Sequence, residues 1–367
     1  MEFALSPDQR ALQDSVRRSL ERACPLERVR AVAATDQPFD RAVWQTLCEI
    51  GVPALLVPEA HGGLGLSLLD AALVAEELGR HVAPVPFLGS AVLAPLALRE
   101  AGSAAQQAEW LPRLARGDCI AGVAIAERVA GARDGAGLQA DAGRLNGSAL
   151  FVLDAAQADV FVVADRSGGL HLVAADAAGL QRAALRSIDA TRPLGELVFE
   201  NVPAQPLPGA TPATLARLRS AAWALLAADT LGAGWAMIDQ AVAYAKERRQ
   251  FGRVIGSFQA VKHLCAEMAA GLEPGRALVW YAAHAFDALP DEAELLSAHA
   301  KAHLSEAGTF VARTATEVHG GMGITDLLGL HFWFKRIGFN RQVLGGPERL
   351  RQHAAQLQDS AAMKETT

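Results

Sequence analysis

The sequence has few cysteines, few aromatic residues and no excess of positive charge, and each shortage argues against a class of protein. Its four cysteines form no CxxC pair, which disfavours a disulfide framework or a structural zinc site and favours a reduced, cytoplasmic setting. Aromatic residues make up only 6% of the chain while alanine and leucine are abundant, which favours helices. The net charge of -6 argues against binding to nucleic acid or to a membrane surface.

Several sequence signals are also missing. There is no GxGxxG after a strand, no GxxxxGK[ST] and no GxSxG, which disfavours a Rossmann oxidoreductase, a P-loop enzyme and an α/β-hydrolase. The first residues lack the apolar core and cleavage site of a signal peptide. Residues 220–238 are nearly long enough to span a bilayer, but Asp229 would cost about 2.5–3.5 kcal/mol there. We therefore expect a buried helix and no membrane contact.

The pattern of apolar and turn-forming residues along the 367 residues predicts three domains. Residues 1–116 have the patterning of helices. Residues 117–208 contain short apolar runs separated by Gly, Asp and Pro, which is typical of strands and turns. Long helical patterns return in residues 209–367. The predicted fold class is α+β, mainly α, with an N-terminal helical domain, a middle β domain and a C-terminal helical bundle.

Local signals predict some helix ends. Ser6 is a plausible N-cap for the first helix, and Gly79 is expected to end a helix over residues 68–78. The LEPG at residues 272–275 interrupts a long helical pattern. Because proline inside a helix costs about 3 kcal/mol or forces a kink, we expect a break there.

Two pairs of side chains have the types that catalysis uses. His299 and His303 are spaced as zinc ligands on a helix, but no third ligand is apparent, so we predict no metal site. Glu76 and Glu77 are adjacent, so they point in different directions and cannot form a carboxylate dyad. We expect them to lie on a solvated helix face.

Two further segments are more informative. Residues 244–263, YAKERRQFGRVIGSFQAVKH, place three arginines around a Phe-Gly pair between two long helices. Arginine can grip a pyrophosphate, but a basic helix end stabilised by the macrodipole explains the pattern equally well. Residues 317–325, EVHGGMGIT, could be an ordinary glycine cap.

Taken together, these segments resemble the acyl-CoA dehydrogenase family, because the second follows the first after about 55 residues. Residues 44–80, WQTLCEIGVPALLVPEAHGGLGLSLLDAALVAEELGR, are similar to the signature of the family's first domain. LPRLARGD at residues 111–118 is similar to the start of its β domain. The resemblance covers nearly the whole chain.

The resemblance implies a helical domain, a small β domain and a C-terminal four-helix bundle, normally assembled as tetramers. It implies FAD between the β domain and the bundle, with the neighbouring subunit completing the adenine and pyrophosphate site. The expected substrate is an acyl-CoA thioester. A glutamate removes its α-proton while a hydride leaves Cβ for the flavin, and an electron-transfer flavoprotein is the expected electron acceptor.

The resemblance assigns candidate cofactor residues. Arg248, Gln250 and Phe251 match the R-x-[TQ]-F segment that touches FAD across the subunit interface. Gly320 and Gly321 match glycines that face the cofactor of a neighbour.

Other positions depart from the family pattern. Glu317 stands where the family usually has glutamine, and a carboxylate beside a pyrophosphate is unfavourable unless it bonds ribose or is screened. Phe151 keeps the aromatic ring that packs on the flavin. In the AERVAGARD and NGSALFVLD segments, Ala126 and Leu153 replace hydroxyl residues expected to hydrogen-bond that ring, which leaves fewer donors.

The largest departure concerns the catalytic base. The VLGG at residues 343–346 puts Leu344 where the family has its glutamate. The alternative base position falls on Ala222, followed by Trp223 instead of the usual arginine. Abstraction of a proton beside a thioester at neutral pH needs a positioned base, so neither residue can serve.

Three explanations remain open at this stage. The chain could be the base-lacking subunit of a heteromeric dehydrogenase, a type known among bacterial steroid-degrading members of the family. Another carboxylate, Asp326 or Glu127, could take the role, or the scaffold could run different chemistry. We therefore expect an FAD-linked acyl-CoA dehydrogenase, or such a subunit, in a homo- or hetero-oligomer. The alternatives are a non-catalytic scaffold subunit and a dehydrogenase for acyl groups on a carrier protein.

Overall fold

The computed structural model describes residues 4–35, 39–131 and 135–365, with side chains described up to residue 360. It is an α+β fold in which helices predominate. Within these ranges the α-helices are α1 Pro7–Ala23, α2 Leu26–Ala33, α3 Arg41–Glu49, α4 Leu68–Arg80, α5 Ala94–Ala101, α6 Ala104–Ala115, α7 Ala126–Val129, α8 Pro212–Glu247, α9 Gln259–Leu272, α10 Pro274–Ala288, α11 Pro290–His319, α12 Leu330–Gln342 and α13 Pro347–Glu365.

The strands form one large sheet in the middle of the chain and one small hairpin. The strands are β1 Ala121–Ala124, β2 Gly137–Asp141, β3 Arg144–Leu153, β4 Val160–Ala164, β5 Leu170–Ala174, β6 Leu180–Leu185, β7 Leu194–Pro203, β8 Gln205–Pro206, β9 Arg249–Gln250 and β10 Arg253–Val254. The large sheet has the order β6-β7-β3-β1-β4-β5-β8, with β2 paired to β3. Only β1 and β4 pair in parallel among its described ladders. The change from helices to strands and back agrees with the order of elements that the sequence pattern predicts. The exact domain limits stay a prediction.

Helix α8 is the central element of the helical part. It starts with a capping box formed by Thr211 and Thr214, and it packs along both α4 and α11. Its most apolar window is 94% buried, so the predicted buried helix is confirmed. The length and hydropathy of this helix would also suit a membrane span, but burial of this extent is typical of a core helix.

Gly79 does not end helix α4, and that prediction was wrong. The helix continues to Arg80, and Gly79 lies where α4 crosses α8. A Cβ atom at Gly79 would lie 1.9 Å from the carbonyl oxygen of Asp229, and one at Gly232 would lie 1.8 Å from that of Glu76. The two glycines therefore allow the two helix backbones to touch.

The expected solvated face at Glu76 and Glu77 was also wrong, because both side chains are buried. Glu77 accepts a bidentate hydrogen bond from Arg17 of α1, with the shorter contact at 2.7 Å. Glu76 pairs with Arg276 of α10. The two carboxylates point to different arginines, so they form no dyad, as the spacing predicts. Burial of charge is offset here by pairing.

Two other local predictions are confirmed. Ser6 caps α1 in a reciprocal capping box with Gln9. The expected break in the long helical pattern lies at Glu273, between α9 and α10, and Pro274 takes the first position of the new helix.

Candidate active site

A cleft of about 680 Å³ separates the large sheet from helix α12. One wall comes from α7, from the end of β3 and from the segment that follows β6. The other comes from one face of α12 and from Val343 and Leu344. Its volume lies within the roughly 300–1,000 Å³ of small-molecule and cofactor sites, and its lining is mainly apolar. The cleft is therefore a candidate site for a small molecule or a cofactor.

Phe151 lies in this cleft because the end of β3 is irregular. The pairing of β3 with β7 shifts register between Ala149 and Val152, and Phe151 has φ +56°, in the left-handed region. Its side chain is 54% exposed, although it is large and apolar. An aromatic ring left uncovered in a cleft by a strained backbone suits a flat ligand.

Leu344 lies in the opposite wall. It follows α12, has φ +56° and is only 3% exposed. Its carbonyl oxygen accepts a hydrogen bond from Trp223 Nε1 at 2.7 Å. Ala222, the second position at which a base was considered, is fully buried in α8. Neither position offers a proton acceptor.

The two carboxylates suggested as substitutes have other partners. Asp326 does not line the cleft; its carboxylate is 77% exposed and pairs with Arg30 and, at 3.4 Å, with His331. Glu127 does line the cleft, but its Oε1 accepts a hydrogen bond from the backbone N–H of Leu150. The structure therefore disfavours Asp326 and leaves Glu127 as the carboxylate nearest to the candidate chemistry within the described cleft lining. The end of the AERVAGARD segment, residues 132–134, lies outside the described residues.

A buried ionic network joins the two walls of the cleft. Arg336 of α12 is fully buried and donates to Asp189 at 2.6 Å and to Asp229 at 3.1 Å. Arg192, which follows the sheet strand β6, donates to the same Asp229 at 2.6 Å. Burial alone would raise the pKa of Asp229, but the two guanidiniums outweigh it and hold the pKa below its usual value. The network fixes α12 against α8 and the sheet.

Asp154 is a buried carboxyl next to this network. It lines a cavity of about 20 Å³ with Phe87, Leu225 and Phe339, which is room for about one water molecule. Burial raises its pKa to about 7, although the charge of Arg192 partly opposes the shift. The interior beside the cleft therefore holds a carboxyl that keeps its proton at higher pH than a solvent-exposed aspartate, and it leaves no space for an acyl chain.

A second pocket, of about 270 Å³, lies on the other side of the 343–346 loop. Trp223 and Gly345 form its wall toward the cleft. Its lining is basic, with Arg128, Arg219, Arg349 and His353. Arg219 and His353 share Glu294, whereas Arg128 and Arg349 form no ion pair with any described residue. This basic pocket suits an anionic group.

The segments assigned to the cofactor of a neighbour meet at a different end of the molecule. Tyr244 of α8 and His319 of α11 bring them together, with ring centroids 4.7 Å apart. Arg248, Gln250 and Phe251 are exposed on one side, and Phe251 is 91% exposed in the turn between β9 and β10.

The other members of this group lie beside that turn. Glu317, Gly320 and Gly321 are all exposed, and Gly320 has φ +57° where α11 ends. None of these residues lines the Phe151 cleft of the same chain. Their assignment to the cofactor of a neighbouring subunit stays a prediction.

Sequence reasoning missed the basic pocket and the ionic network. Both combine residues from distant segments, such as Asp189 and Arg336, whose separate patterns are unremarkable. Among the described residues, no three His, Cys, Asp or Glu side chains lie close enough together to hold a metal ion.

The fold and the cleft define a class of enzyme, and sequence comparison agrees with it. The chain belongs to the acyl-CoA dehydrogenase family, since the model of the family's N-terminal domain matches residues 6–118 and that of its C-terminal domain matches residues 215–357. It is therefore an oxidoreductase of the class that acts on acyl-CoA.

Particular relatives narrow this further. Acyl-CoA dehydrogenase IpdE2 of Mycolicibacterium smegmatis is 33% identical over 358 residues, which cover 96% of this chain and 100% of that protein. A variant of the steroid acyl-CoA dehydrogenase Tcur3481-Tcur3483 is 31% identical with a TM-score of 0.87, covering 97% of this chain and 99% of that one. The ChsE4-ChsE5 complex from Mycobacterium tuberculosis is 29% identical with a TM-score of 0.89, covering 97% and 98%. The resemblance to a diverged bacterial branch with heteromeric members is thus confirmed.

Proposed function

We propose that this chain is the base-lacking subunit of an FAD-linked, heteromeric acyl-CoA dehydrogenase. The single observation that carries the proposal is the pair Leu344 and Ala222, two buried apolar residues at the two positions where the family places its base. The similar steroid acyl-CoA dehydrogenase Tcur3481-Tcur3483 and the similar ChsE4-ChsE5 complex support a partner subunit, and the first of them supports a bulky acyl group.

The residues of the cleft fit a flavin. The exposed ring of Phe151 offers one stacking face, the remaining lining is mainly apolar, and one oxygen of Glu127 accepts a hydrogen bond from the N–H of Leu150. FAD bound there would supply the acceptor for a hydride. In this cleft, Phe151 would orient the ring system and the wall formed by α12 would exclude water.

The basic pocket supports an acyl-CoA substrate. The thioester of an acyl-CoA would lie near the 343–346 loop, and the phosphates of the CoA half would face Arg128, Arg219 and Arg349. Charge-assisted contacts between guanidinium groups and phosphate are about twice as strong as neutral hydrogen bonds. The order cleft, loop and basic pocket therefore matches the order flavin, thioester and phosphate.

The same geometry argues against turnover by the chain alone. Removal of the α-proton needs an acceptor within hydrogen-bond reach, and leucine has no lone pair to offer. One oxygen of Glu127 is held by a backbone N–H on the wall opposite Leu344, and Asp154 is enclosed in a cavity too small for a substrate. A partner subunit with its own base would resolve this, and the exposed Arg248–Phe251 surface would then complete the partner's cofactor site.

The first test is the composition and colour of the purified protein. We expect the chain to form a stable hetero-oligomer with a second acyl-CoA dehydrogenase subunit, and the complex to be yellow with an FAD spectrum. Light scattering that shows a stable, partner-free monomer at micromolar concentration would contradict the proposal. A colourless complex would favour the scaffold subunit. Activity only on carrier-bound acyl groups would favour a dehydrogenase for acyl groups on a carrier protein.

We further propose a cytoplasmic location and transfer of electrons to an electron-transfer flavoprotein.

A further inference from the structure

Lys301 is an unusual residue because it is 1% exposed and has no carboxylate partner among the described residues. It lies on α11, and its Nζ donates a hydrogen bond to the carbonyl oxygen of Gly345. The carbonyl oxygen of Arg341 lies 3.5 Å from the same nitrogen. Burial, with a further contribution from the charge of Arg341, lowers the pKa of Lys301 to about 7. A buried amine that gains only carbonyl acceptors is costly and calls for a reason beyond packing.

The carbonyls that Lys301 reaches belong to the end of α12 and to the loop that follows it. Leu344 in this loop has φ +56°, a conformation that is uncommon for a leucine, and Gly345 has φ +110°. Trp223 of α8 donates to the carbonyl of Leu344, and Lys301 of α11 donates to the next carbonyl. Two donors from two different helices therefore hold consecutive carbonyls of a strained loop.

This loop and helix α7 together form the wall between the two pockets. Val343 and Leu344 line the apolar cleft, while Gly345 and Trp223 line the basic pocket. A movement of the loop would widen one space and narrow the other. Whatever fixes the loop therefore fixes the distance between the two pockets.

We propose that Lys301 and Trp223 are positioning residues that hold the Leu344–Gly345 loop as the fixed wall between the cleft and the basic pocket. Lys301 acts as a hydrogen-bond donor to the loop and not as a partner in an ion pair. The wall itself is independent of the chain's ligands. If the two pockets hold FAD and acyl-CoA, a mobile loop would also weaken the binding of both, and this consequence alone rests on the proposed function.

The test is hydrogen exchange in the full chain, measured by mass spectrometry on peptides that cover residues 340–350. Lys301→Met keeps a long, unbranched side chain, one heavy atom shorter than that of lysine, but removes every donor. We expect amide exchange in this segment to rise at least tenfold, while the rest of α11 changes little. Lys301→Gln keeps an N–H donor without charge and should restore part of the protection.

The control is Val311→Ala, which truncates a fully buried side chain of the same helix about 15 Å from Lys301 along the helix axis. It should lower global stability without selective exposure of the loop. If Lys301→Met and Val311→Ala raise exchange equally in all segments, Lys301 is only a core residue and the proposal is overturned.

A second variant covers the case in which Lys301→Met does not fold. Trp223→Phe removes the other donor and keeps an aromatic ring, and it should also expose the 340–350 segment selectively. Unchanged exchange in that variant would overturn the proposal. Neither measurement uses a ligand. A purified complex that lacks FAD would therefore count against the proposed function alone, and it would leave this inference standing.

Discussion

Truncation of Phe151 tests whether this chain builds its own flavin cleft. The ring is 54% exposed on the cleft wall, at a residue with φ +56°. Phe151→Ala keeps a β-carbon. The φ/ψ preference at position 151 therefore stays closer to that of the wild type than a glycine would leave it. It removes the surface on which a flavin would stack and little of the packed core.

The structure gives the expected magnitude. An aromatic side chain buries about 150–250 Å² in total, so the exposed half of Phe151 offers about 100 Å² to a ligand. A flavin covers one face of the ring, about 50 Å² or half of this exposed area. At about 25 cal/mol per Å², burial of that face corresponds to about 1.2 kcal/mol. Stacking adds about 0.5–1.5 kcal/mol, so the sum is about 2 kcal/mol, or roughly a 30-fold weaker affinity for FAD.

The assay is titration of the apo-complex with FAD, followed by flavin fluorescence, alongside thermal unfolding of the apo form. Phe151→Ala should weaken FAD binding by the stated factor and change the stability of the apo form by less than about 1 kcal/mol. Phe310→Ala is the matched control, because Phe310 is also a half-exposed phenylalanine but lies outside the cleft. Equal FAD affinity for both variants would refute the stacking role of Phe151.

Three further predictions concern the subunit surface and the buried carboxyl. Arg248→Ala in the assembled oligomer should lower FAD affinity roughly 10- to 100-fold, the equivalent of about 1.5–3 kcal/mol for a charge-assisted contact, with unchanged thermal stability. Unchanged FAD content with reduced stability would make Arg248 a structural helix end. Glu317→Gln should tighten FAD binding at the same surface, because it removes a negative charge beside the pyrophosphate, and weaker binding would instead indicate a bond from Glu317 to ribose. Between about pH 4 and pH 7 the folded state binds a proton on Asp154 that the unfolded state has released, so stability should fall as the pH rises through this window. Urea denaturation of Asp154→Asn should show a flatter pH dependence there than the wild type, and an identical slope would contradict the pKa shift.

Local sequence rules identified helix caps and breaks but could not identify helix crossings. Ser6 and Pro274 act through neighbours in sequence, so their roles follow from the sequence alone. Gly79 obeys the rule for a helix end, yet it lies in the helix because α8 touches it 150 residues later in the chain. Glycine suits both a helix end and a close contact between two helix backbones, and only the tertiary contact distinguishes these two roles.

The candidate site shows the same division. Phe151 and Leu344 could be recognised because both stand at fixed positions within recognisable segments, and the structure places both in one cleft, while their roles toward a flavin and a base stay predictions. Outside the site, the burial of Glu76 and Glu77 could not be predicted, since their arginines come from segments 200 and 60 residues away. Lys301 could not be recognised either, because a lysine in a long helix normally faces solvent and nothing local marks it as buried. Charged residues that are buried by contacts with distant segments, whether these supply an opposite charge or a carbonyl, are the ones that sequence patterns describe least well.

The most direct test of the account is anaerobic mixing of the FAD-loaded protein with a panel of acyl-CoAs, followed by flavin absorbance. General-base catalysis contributes about 10²–10⁴-fold, so the isolated chain should show very slow loss of absorbance or none. The complex with its partner subunit should lose absorbance rapidly, because the partner supplies the base that Leu344 and Ala222 cannot. Rapid loss of absorbance by the isolated chain would contradict the account and would make Glu127 the first carboxylate to replace.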